Sequence, residues 1–316
     1  MDQFAIGVDI GGTRTKLGLV NIKTGEVLYE IVHATEKESE GPFLQQIYRS
    51  IHEFGMLLAD AKASLDGIGF GIPGFVDEHG VVDTTYGFLR FMENYPLKSK
   101  IEADTGIACR LDNDARVVAL GEALFGSGRN HSRVLALTLG TGLGVGFVVN
   151  GIFPDPLPFS HMSGHMSIGD KGERCYCGKT GCLEAQVSSA AIFNAKHLTR
   201  LASSGGALPD PQQVFTLARD GNPFAAEIVN GIIEALQKGI HNFINIYAPD
   251  IIVIGGGMSR SLKEHIKELN QINYLSPYRN YTCEVRISDL QEQAGILGAA
   301  ALFSNRNNSN SNNEKD

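Results

Sequence analysis

The 316-residue chain is poor in cysteine and in basic residues, and both shortages exclude classes of protein. It has five cysteines, an odd number, which does not suit a disulfide framework and indicates a reducing cytoplasm. The formal net charge of −8 disfavours a nucleic-acid-binding surface, which is normally basic. The longest apolar stretch, 134–153, is broken by polar residues and glycines, so we expect a β-hairpin there and no membrane span.

Several catalytic and targeting motifs are also missing. Upstream of Lys179, Gly172 lies one residue too far away to open a Walker A motif, and no G-x-S-x-G occurs. Because the first residues already form a strand pattern, we expect neither a signal peptide nor an N-terminal helix-turn-helix. A G-x-G-x-x-G begins at Gly69, but Pro73 and a hairpin pattern follow it in place of the helix that a dinucleotide site needs. We interpret this loop as a place where the backbone approaches a ligand.

The pattern that is present predicts an α/β protein with two domains. Hydrophobic residues make up 43% and charged residues 20% of the chain, as in soluble globular proteins, and the length suits two domains. Strands are predicted at 4–9, 16–21, 67–71, 107–111, 134–139, 145–150, 251–254 and 282–287. Helices are predicted at 42–64, 115–124, 185–202, 211–219, 223–246 and 294–303, and the polar tail 304–316 is expected to be frayed.

Two glycine turns share one plan. Residues 11–13, Gly-Gly-Thr, join the strands 4–9 and 16–21, and residues 140–142, Gly-Thr-Gly, join the strands 134–139 and 145–150. The N–H groups of such turns can hold an anion, so one cradle from each half of the chain could grip a polyphosphate. The alternative is a pair of unrelated hairpins.

Polar residues or glycines follow three strands. Asp9 ends a strand beside the first turn, where a carboxylate suits hydrated Mg²⁺. Residues 112–114, Asp-Asn-Asp, end a strand and open a helix; one of them caps the helix, which leaves at least one for chemistry. Residues 255–257 are three glycines against which a nucleoside could lie, although a plain strand-to-helix connection would look the same.

A His followed by C-x-C-x4-C places His165, Cys175, Cys177 and Cys182 close together in the sequence. One imidazole and three thiolates are a complete tetrahedral set for zinc, so we predict a structural metal that does not activate water. The alternative is stray thiols in a loop. The other two cysteines, Cys109 and Cys283, are expected to be buried and inert.

The stretch 164–184, GHMSIGDKGERCYCGKTGCLE, resembles the signature of the ROK family of sugar kinases and repressors at every fixed position. The resemblance covers almost the whole chain and implies the two-domain actin-like ATPase fold. The small N-terminal domain would comprise 1–115 plus 299–316, and the large domain 116–298. The implied ATP-binding residues are Asp9, Gly11, Gly12, Thr13, Gly140, Thr141, Gly142, Gly255, Gly256 and Gly257.

The same resemblance implies ATP- and Mg²⁺-dependent phosphorylation of a hexose or N-acetylhexosamine at the 6-hydroxyl, by a homodimer. Asp114 would accept the hydroxyl proton. Asn113, Asp114, the Gly74 backbone, His165 and Glu184 would bind the sugar. His165 would use one ring nitrogen for zinc and the other for sugar.

One position departs from the family pattern. The Glu usually found three residues before the motif His is Met162 here, and a thioether is a weak acceptor. Because a site that hydrogen-bonds a hydroxyl discriminates strongly by it, the acceptor specificity is expected to change. The alternatives are a non-catalytic sugar sensor, a carboxylate or polyol acceptor, or a polyphosphate donor, for which the sequence shows no basic groove.

Overall fold

The computed structural model describes residues 2–61, 63–84, 87–154, 158–170, 174–202, 206–271 and 280–304. The chain forms two compact units. Unit 1 comprises Met1–Ser132, Gly146–His161 and Glu292–Asp316, and unit 2 comprises Arg133–Val145 and Met162–Gln291. The boundaries of these units differ from those of the predicted domains, 1–115 plus 299–316 and 116–298, and the domain boundaries stay a prediction. The tail from residue 305 onward lies outside the described residues.

Strands and helices are mixed, as predicted. The strands are β1 (Phe4–Ile10), β2 (Arg14–Asn21), β3 (Glu26–Ala34), β4 (Leu65–Ile72), β5 (Phe75–Val76), β6 (Val82–Asp83), β7 (Cys109–Asn113), β8 (Arg133–Leu139), β9 (Leu143–Val149), β10 (Ile251–Gly255) and β11 (Glu284–Ile287). The α-helices are α1 (Glu40–Ala61), α2 (Leu97–Thr105), α3 (Asp114–Phe125), α4 (Leu183–Val187), α5 (Ser189–Phe193), α6 (Pro211–Arg219), α7 (Pro223–Tyr247), α8 (Ile266–Asn270) and α9 (Ala294–Ala301). None of these helices combines the length and the apolar character that crossing a bilayer requires.

Unit 1 is built on a five-stranded sheet in the order β3-β2-β1-β4-β7. The hairpin partners β1 and β2 are antiparallel, whereas β4 runs parallel to both β1 and β7. Asp9 therefore lies opposite Gly71, which lies opposite Asp112. This register brings the carboxyl ends of three strands to one edge of the sheet, where ligands bind in α/β proteins.

The small-residue helix α9 packs unusually close to the sheet of unit 1. A Cβ atom placed on Gly7 would lie 1.9 Å from the carbonyl oxygen of Ile296, and one on Gly69 would lie 1.8 Å from that of Ala299. Both strand positions therefore need glycine for the helix to approach. The other side chains of the core, including Phe43, Phe54 and Phe70, are fully or almost fully buried.

Unit 2 contains the sheet β11-β10-β8-β9, in which β10 runs parallel to β8 and β11. The boundary between the units falls within β9, after Val145. Both glycine-rich segments of this half, 140–142 and 255–257, follow neighbouring parallel strands, so they lie at the same edge of the sheet.

The prediction of one helix over 185–202 is wrong. The segment forms α4, α5 and a 3₁₀ helix over Leu198–Leu201. The break is at Ser188, whose φ of −80° and ψ of 171° are extended. The N–H of Ser189 donates to the carbonyl of Gly140 at 2.9 Å, a long-range bond that replaces a bond within a helix.

Candidate functional site

The first glycine turn, residues 11–13, joins β1 and β2. The N–H of Gly11 donates to the carbonyl of Arg14 at 3.0 Å, and the carbonyl of Gly11 accepts from Oγ1 of Thr35 at 2.7 Å. Gly12 and Thr13 are exposed, and their N–H groups make no hydrogen bond within the described part of the chain. Two adjacent free N–H groups on a fixed turn are suited to an anion.

Asp9 is the penultimate residue of β1, beside this turn. Its carboxylate lies against the start of α9, since a Cβ atom on Gly295 would be 2.5 Å from Oδ2 of Asp9. Burial raises the pKa of Asp9, and the ammonium of Lys16, its partner in β2, opposes this by a smaller amount. A desolvated carboxylate with oxygen ligands to offer fits a hard cation such as Mg²⁺.

The three residues 112–114 make different contacts. Asp112 pairs with Arg116 at 2.6 Å from Oδ1 to Nε, and both side chains are largely buried. Asn113 caps α3: its Oδ1 accepts from the N–H of Ala115 at 2.9 Å and from that of Arg116 at 3.3 Å. Its Nδ2 donates to the carbonyl of Gly74 at 3.0 Å, so the cap also anchors the loop after β4. Asp112 and Asn113 are thus engaged in structural contacts.

Asp114, unlike Asp112, forms no ion pair among the described residues. Its Oδ1 accepts from the N–H of Ala115 at 2.8 Å. Burial raises the pKa of Asp114 to about 7, with repulsion from the carboxylate of Asp9 as the second cause and hydrogen bonds opposing both. A carboxylate that titrates near neutral pH is suited to general base catalysis.

The second glycine turn, residues 140–142, and the segment 255–257 lie together in unit 2. The N–H of Gly140 donates to the carbonyl of Gly142 at 3.0 Å. Gly256 has a φ of +84°, and a Cβ atom there would lie 2.3 Å from the carbonyl oxygen of Leu139 at the end of β8. A Cβ atom on Gly257 would meet no described atom within 4 Å, so the backbone is open to a flat ligand.

The structure brings the four predicted metal ligands together. The ligand atoms of His165, Cys175, Cys177 and Cys182 all lie within 4.8 Å of one another. Nδ1 of His165 is 3.4 Å from Sγ of Cys175, and Sγ of Cys177 is 3.6 Å from Sγ of Cys182. Three of the four are buried, and a set of one imidazole and three thiols fits tetrahedral zinc.

Glu184 connects this cysteine cluster with the second glycine turn. Its Oε2 is 3.6 Å from Nδ1 of His165, and its Oε1 would be 3.0 Å from a Cβ atom on Gly142. Burial raises the pKa of Glu184 to about 7. Burial also lowers the pKa of His165, as the nearby charge of Lys179 does to a smaller extent. A buried carboxyl group beside a neutral imidazole can exchange hydrogen bonds with ligand hydroxyls.

Two contacts of the site were not predicted from the sequence. The hydroxyl of Tyr176 lies 3.0 Å from Nε2 of His165, the ring nitrogen expected to face sugar, and the two rings meet edge to face. The only sequence signal for Tyr176 is its place between two ligand cysteines. Thr35, which holds the first turn, follows a strand that the sequence pattern did not indicate.

The predicted site residues fall into the two units. Unit 1 holds Asp9, Gly11, Gly12, Thr13, Gly74, Asn113 and Asp114, and unit 2 holds Gly140, Thr141, Gly142, His165, Cys175, Cys177, Cys182, Glu184, Gly255, Gly256 and Gly257. Met162, the position that departs from the family pattern, is partly buried in unit 2. The next residue, Ser163, has a buried hydroxyl with no hydrogen-bond partner among the described residues.

Comparison with known proteins gives consistent matches over nearly the full length. The model of the ROK family matches residues 5–306. The glucokinase of Thermotoga maritima is 35% identical over 315 residues, which cover 95% of this chain and 97% of the relative. The xylose repressor of Caldicellulosiruptor bescii is 26% identical over 316 residues, covering 94% of this chain and 77% of the repressor. The crystal structure of a ROK family glucokinase from Streptomyces griseus in complex with glucose and AMPPNP has 27% identity and a TM-score of 0.75, covering 95% of this chain and 98% of that one.

Proposed function

The chain belongs to the ROK family, and from this premise we propose that it is an ATP-dependent kinase that phosphorylates a hexose at the 6-hydroxyl. Membership also confirms the predicted two-domain actin-like ATPase fold. One observation carries the proposal: the carboxylate of Asp114 forms no ion pair with any described residue. Burial and repulsion from the carboxylate of Asp9 raise its pKa to about 7. The homodimer and the cytoplasmic location stay predictions.

Asp114 is the proposed general base. Its carboxylate takes the proton of the acceptor hydroxyl as that oxygen bonds to the γ-phosphorus and the bond to ADP breaks. Base catalysis by a positioned carboxylate contributes roughly 10²- to 10⁴-fold in rate. Asn113 contributes mainly by fixing the first turn of α3, because its carbonyl oxygen is already used by two helix N–H groups.

The nucleotide-binding role goes to the glycine segments. The free N–H groups of residues 12 and 13 and the turn 140–142 would hold phosphate oxygens, and the open backbone at 255–257 would hold the adenosine. Asp9 would hold Mg²⁺, which neutralises phosphate charge when bound. The relative crystallised with AMPPNP supports ATP as the donor.

The family resemblance assigns sugar binding to His165, Glu184, the Gly74 backbone and the Asn113 amide, and we retain this assignment as part of the proposal. The cysteine cluster would hold one zinc ion, which braces the loop that carries His165. The nitrogen that faces Cys175 is Nδ1, so a sugar hydroxyl would bind Nε2 in place of the Tyr176 hydroxyl, which lies 3.0 Å from that nitrogen. Glucose is the first candidate, because the glucokinase of Thermotoga maritima is 35% identical to this chain.

The experiment measures sugar phosphate formation over a panel of hexoses and N-acetylhexosamines, with ATP or polyphosphate as the donor, and follows ADP release where ATP is the donor. We expect ATP-dependent turnover of at least one hexose and a loss of roughly 10²- to 10⁴-fold in Asp114→Asn. Absence of turnover on every sugar, or an Asp114→Asn variant as active as the parent, would overturn the proposal. A product that co-migrates with the hexose 6-phosphate identifies the hydroxyl.

A second candidate is a sugar sensor without kinase activity. Two observations favour it: a xylose repressor matches almost the whole chain, and Met162 replaces a carboxylate that the family usually carries. Calorimetry separates the candidates, because a sensor binds sugar with the same affinity with or without nucleotide and releases no ADP. Met162→Glu restores the residue that the family usually carries at this position. It is expected to lower the KM or Kd for glucose, since a carboxylate can accept hydrogen bonds from two hydroxyls.

A further inference from the structure

We propose that Thr35 is the positioning residue of the first glycine turn, holding residues 11–13 in the shape that presents two N–H groups to phosphate. Thr35 lies just beyond β3, outside every motif of the sequence. The inference rests on the proposed nucleotide-binding function of this turn.

Thr35 is bonded to both ends of the turn. Its Oγ1 donates to the carbonyl of Gly11 at 2.7 Å, and its N–H donates to the carbonyl of Thr13 at 3.0 Å. The N–H of Gly11 is taken by the carbonyl of Arg14 at 3.0 Å. These three bonds use the turn's outer polar groups and leave the N–H groups of Gly12 and Thr13 without a partner in the described chain.

The hydroxyl of Thr35 is itself oriented by a neighbour. Oγ1 of Thr15 lies 3.0 Å from Oγ1 of Thr35, and Thr15 is 2% exposed. The hydroxyl of Thr35 donates its proton to the Gly11 carbonyl, so it must accept the hydrogen bond from the hydroxyl of Thr15. The direction of donation, from Thr15 to Thr35 to Gly11, is therefore fixed. A relay with one direction defines the position of the Gly11 carbonyl better than a free hydroxyl would.

Packing supports the turn from another side without hydrogen bonds. A Cβ atom on Gly12 would lie 3.6 Å from the ring of Phe88, and the ammonium of Lys37 lies 5.5 Å from that ring's centroid. The turn therefore depends on Thr35 for its polar support. Losing one hydrogen bond of this kind is expected to loosen the two N–H groups that phosphate needs.

The experiment compares Thr35→Val with Thr15→Val, a matched control that loses the same hydroxyl one bond farther from the turn. Thr35→Ser, which keeps the hydroxyl, is the rescue. We expect Thr35→Val to raise the Kd for AMPPNP and the KM for ATP by about three- to tenfold. The KM for sugar should not change, Thr15→Val should change the Kd by less than about twofold, and Thr35→Ser should bind like the parent.

Equal AMPPNP affinity of Thr35→Val and the parent would overturn the inference while leaving the kinase intact. Equal losses in Thr15→Val and Thr35→Val, or a parallel rise in the KM for sugar, would show a general packing defect and overturn it as well. A parent protein that does not bind AMPPNP at all would refute the nucleotide site, and both proposals would fail together.

Discussion

Replacing Asp114 by Asn should make the protein more stable while removing its activity. Asp114 is partly buried, has no ion pair among the described residues, and lies close enough to Asp9 for repulsion to raise its pKa. Asn keeps the oxygen that accepts from the N–H of Ala115 and has nearly the same shape. The substitution therefore removes a charge that opposes folding and little else.

The size of the effect follows from the pKa of Asp114, which rises from 3.8 to about 7 on folding. The folded protein binds this proton more tightly than the unfolded chain, so the parent's stability falls as the pH rises from about 4 to about 7. Each pKa unit corresponds to about 1.4 kcal/mol, so the penalty reaches about 4 kcal/mol above pH 7 and less than about half of that at pH 5. The Asp114→Asn variant would carry no such penalty at any pH.

The assay is urea denaturation of the parent and Asp114→Asn at pH 5 and pH 8, without nucleotide or divalent cation. The advantage of the variant should grow by about 2 to 3 kcal/mol between the two values, with unchanged dependence on urea concentration. An advantage that is independent of pH would show that Asp114 titrates normally. A variant less stable than the parent at pH 8 would refute the argument, because the carboxylate would then be stabilising.

Three further changes test other parts of the site. Cys177→Ser removes a ligand and is expected to lower metal affinity by more than about a hundredfold, the upper loss for residues that only support a ligand, and to weaken sugar binding through His165. Elemental analysis and calorimetry measure the two effects, and full zinc content with unchanged binding would contradict the prediction. Tyr176→Phe should lower the KM for sugar by less than about tenfold at constant zinc content, since the hydroxyl that competes with sugar for Nε2, 3.0 Å away, is lost; a higher KM would contradict this. Gly256→Ala should lower the free energy of unfolding by about 1–3 kcal/mol, measured by urea denaturation, and should weaken AMPPNP binding. The reason is that φ is +84° and the new Cβ atom would contact the carbonyl of Leu139. Stability and affinity equal to those of the parent would show that the turn adapts.

Local chemistry made much of the site predictable. The glycine turns lie between strands of alternating or continuous apolar residues. The predicted hairpin appears in unit 1, where Asp9 pairs with Lys16. The cysteine cluster is equally local, because its ligands lie within 18 residues of one another in the chain. In both cases the information is carried by neighbours in sequence, which is what pattern analysis detects.

The parts that could not be predicted depend on distant residues. β3 is the edge strand of its sheet and none of its residues is fully buried. Apolar residues such as Leu28, Tyr29 and Val32 are exposed, so they do not mark a face that packs on the core. The break at Ser188 exists because the next N–H finds the Gly140 carbonyl, 49 positions earlier in the sequence. Thr35 reaches the first turn in the same way, across a strand that the pattern did not reveal.

The start of α3 shows how one segment serves fold and chemistry together. The end of a helix that carries free N–H groups favours a negative charge by roughly 0.3–1 kcal/mol, which would lower the pKa of Asp114 by less than one unit. The pKa is instead raised by about three units, from 3.8 to about 7, so burial and Asp9 outweigh both the helix and the hydrogen bonds. Asn113 limits the number of these hydrogen bonds, because its Oδ1 accepts from the N–H of Arg116 and shares the N–H of Ala115 with Oδ1 of Asp114. A cap placed one residue before the base thus leaves the base available for a substrate proton.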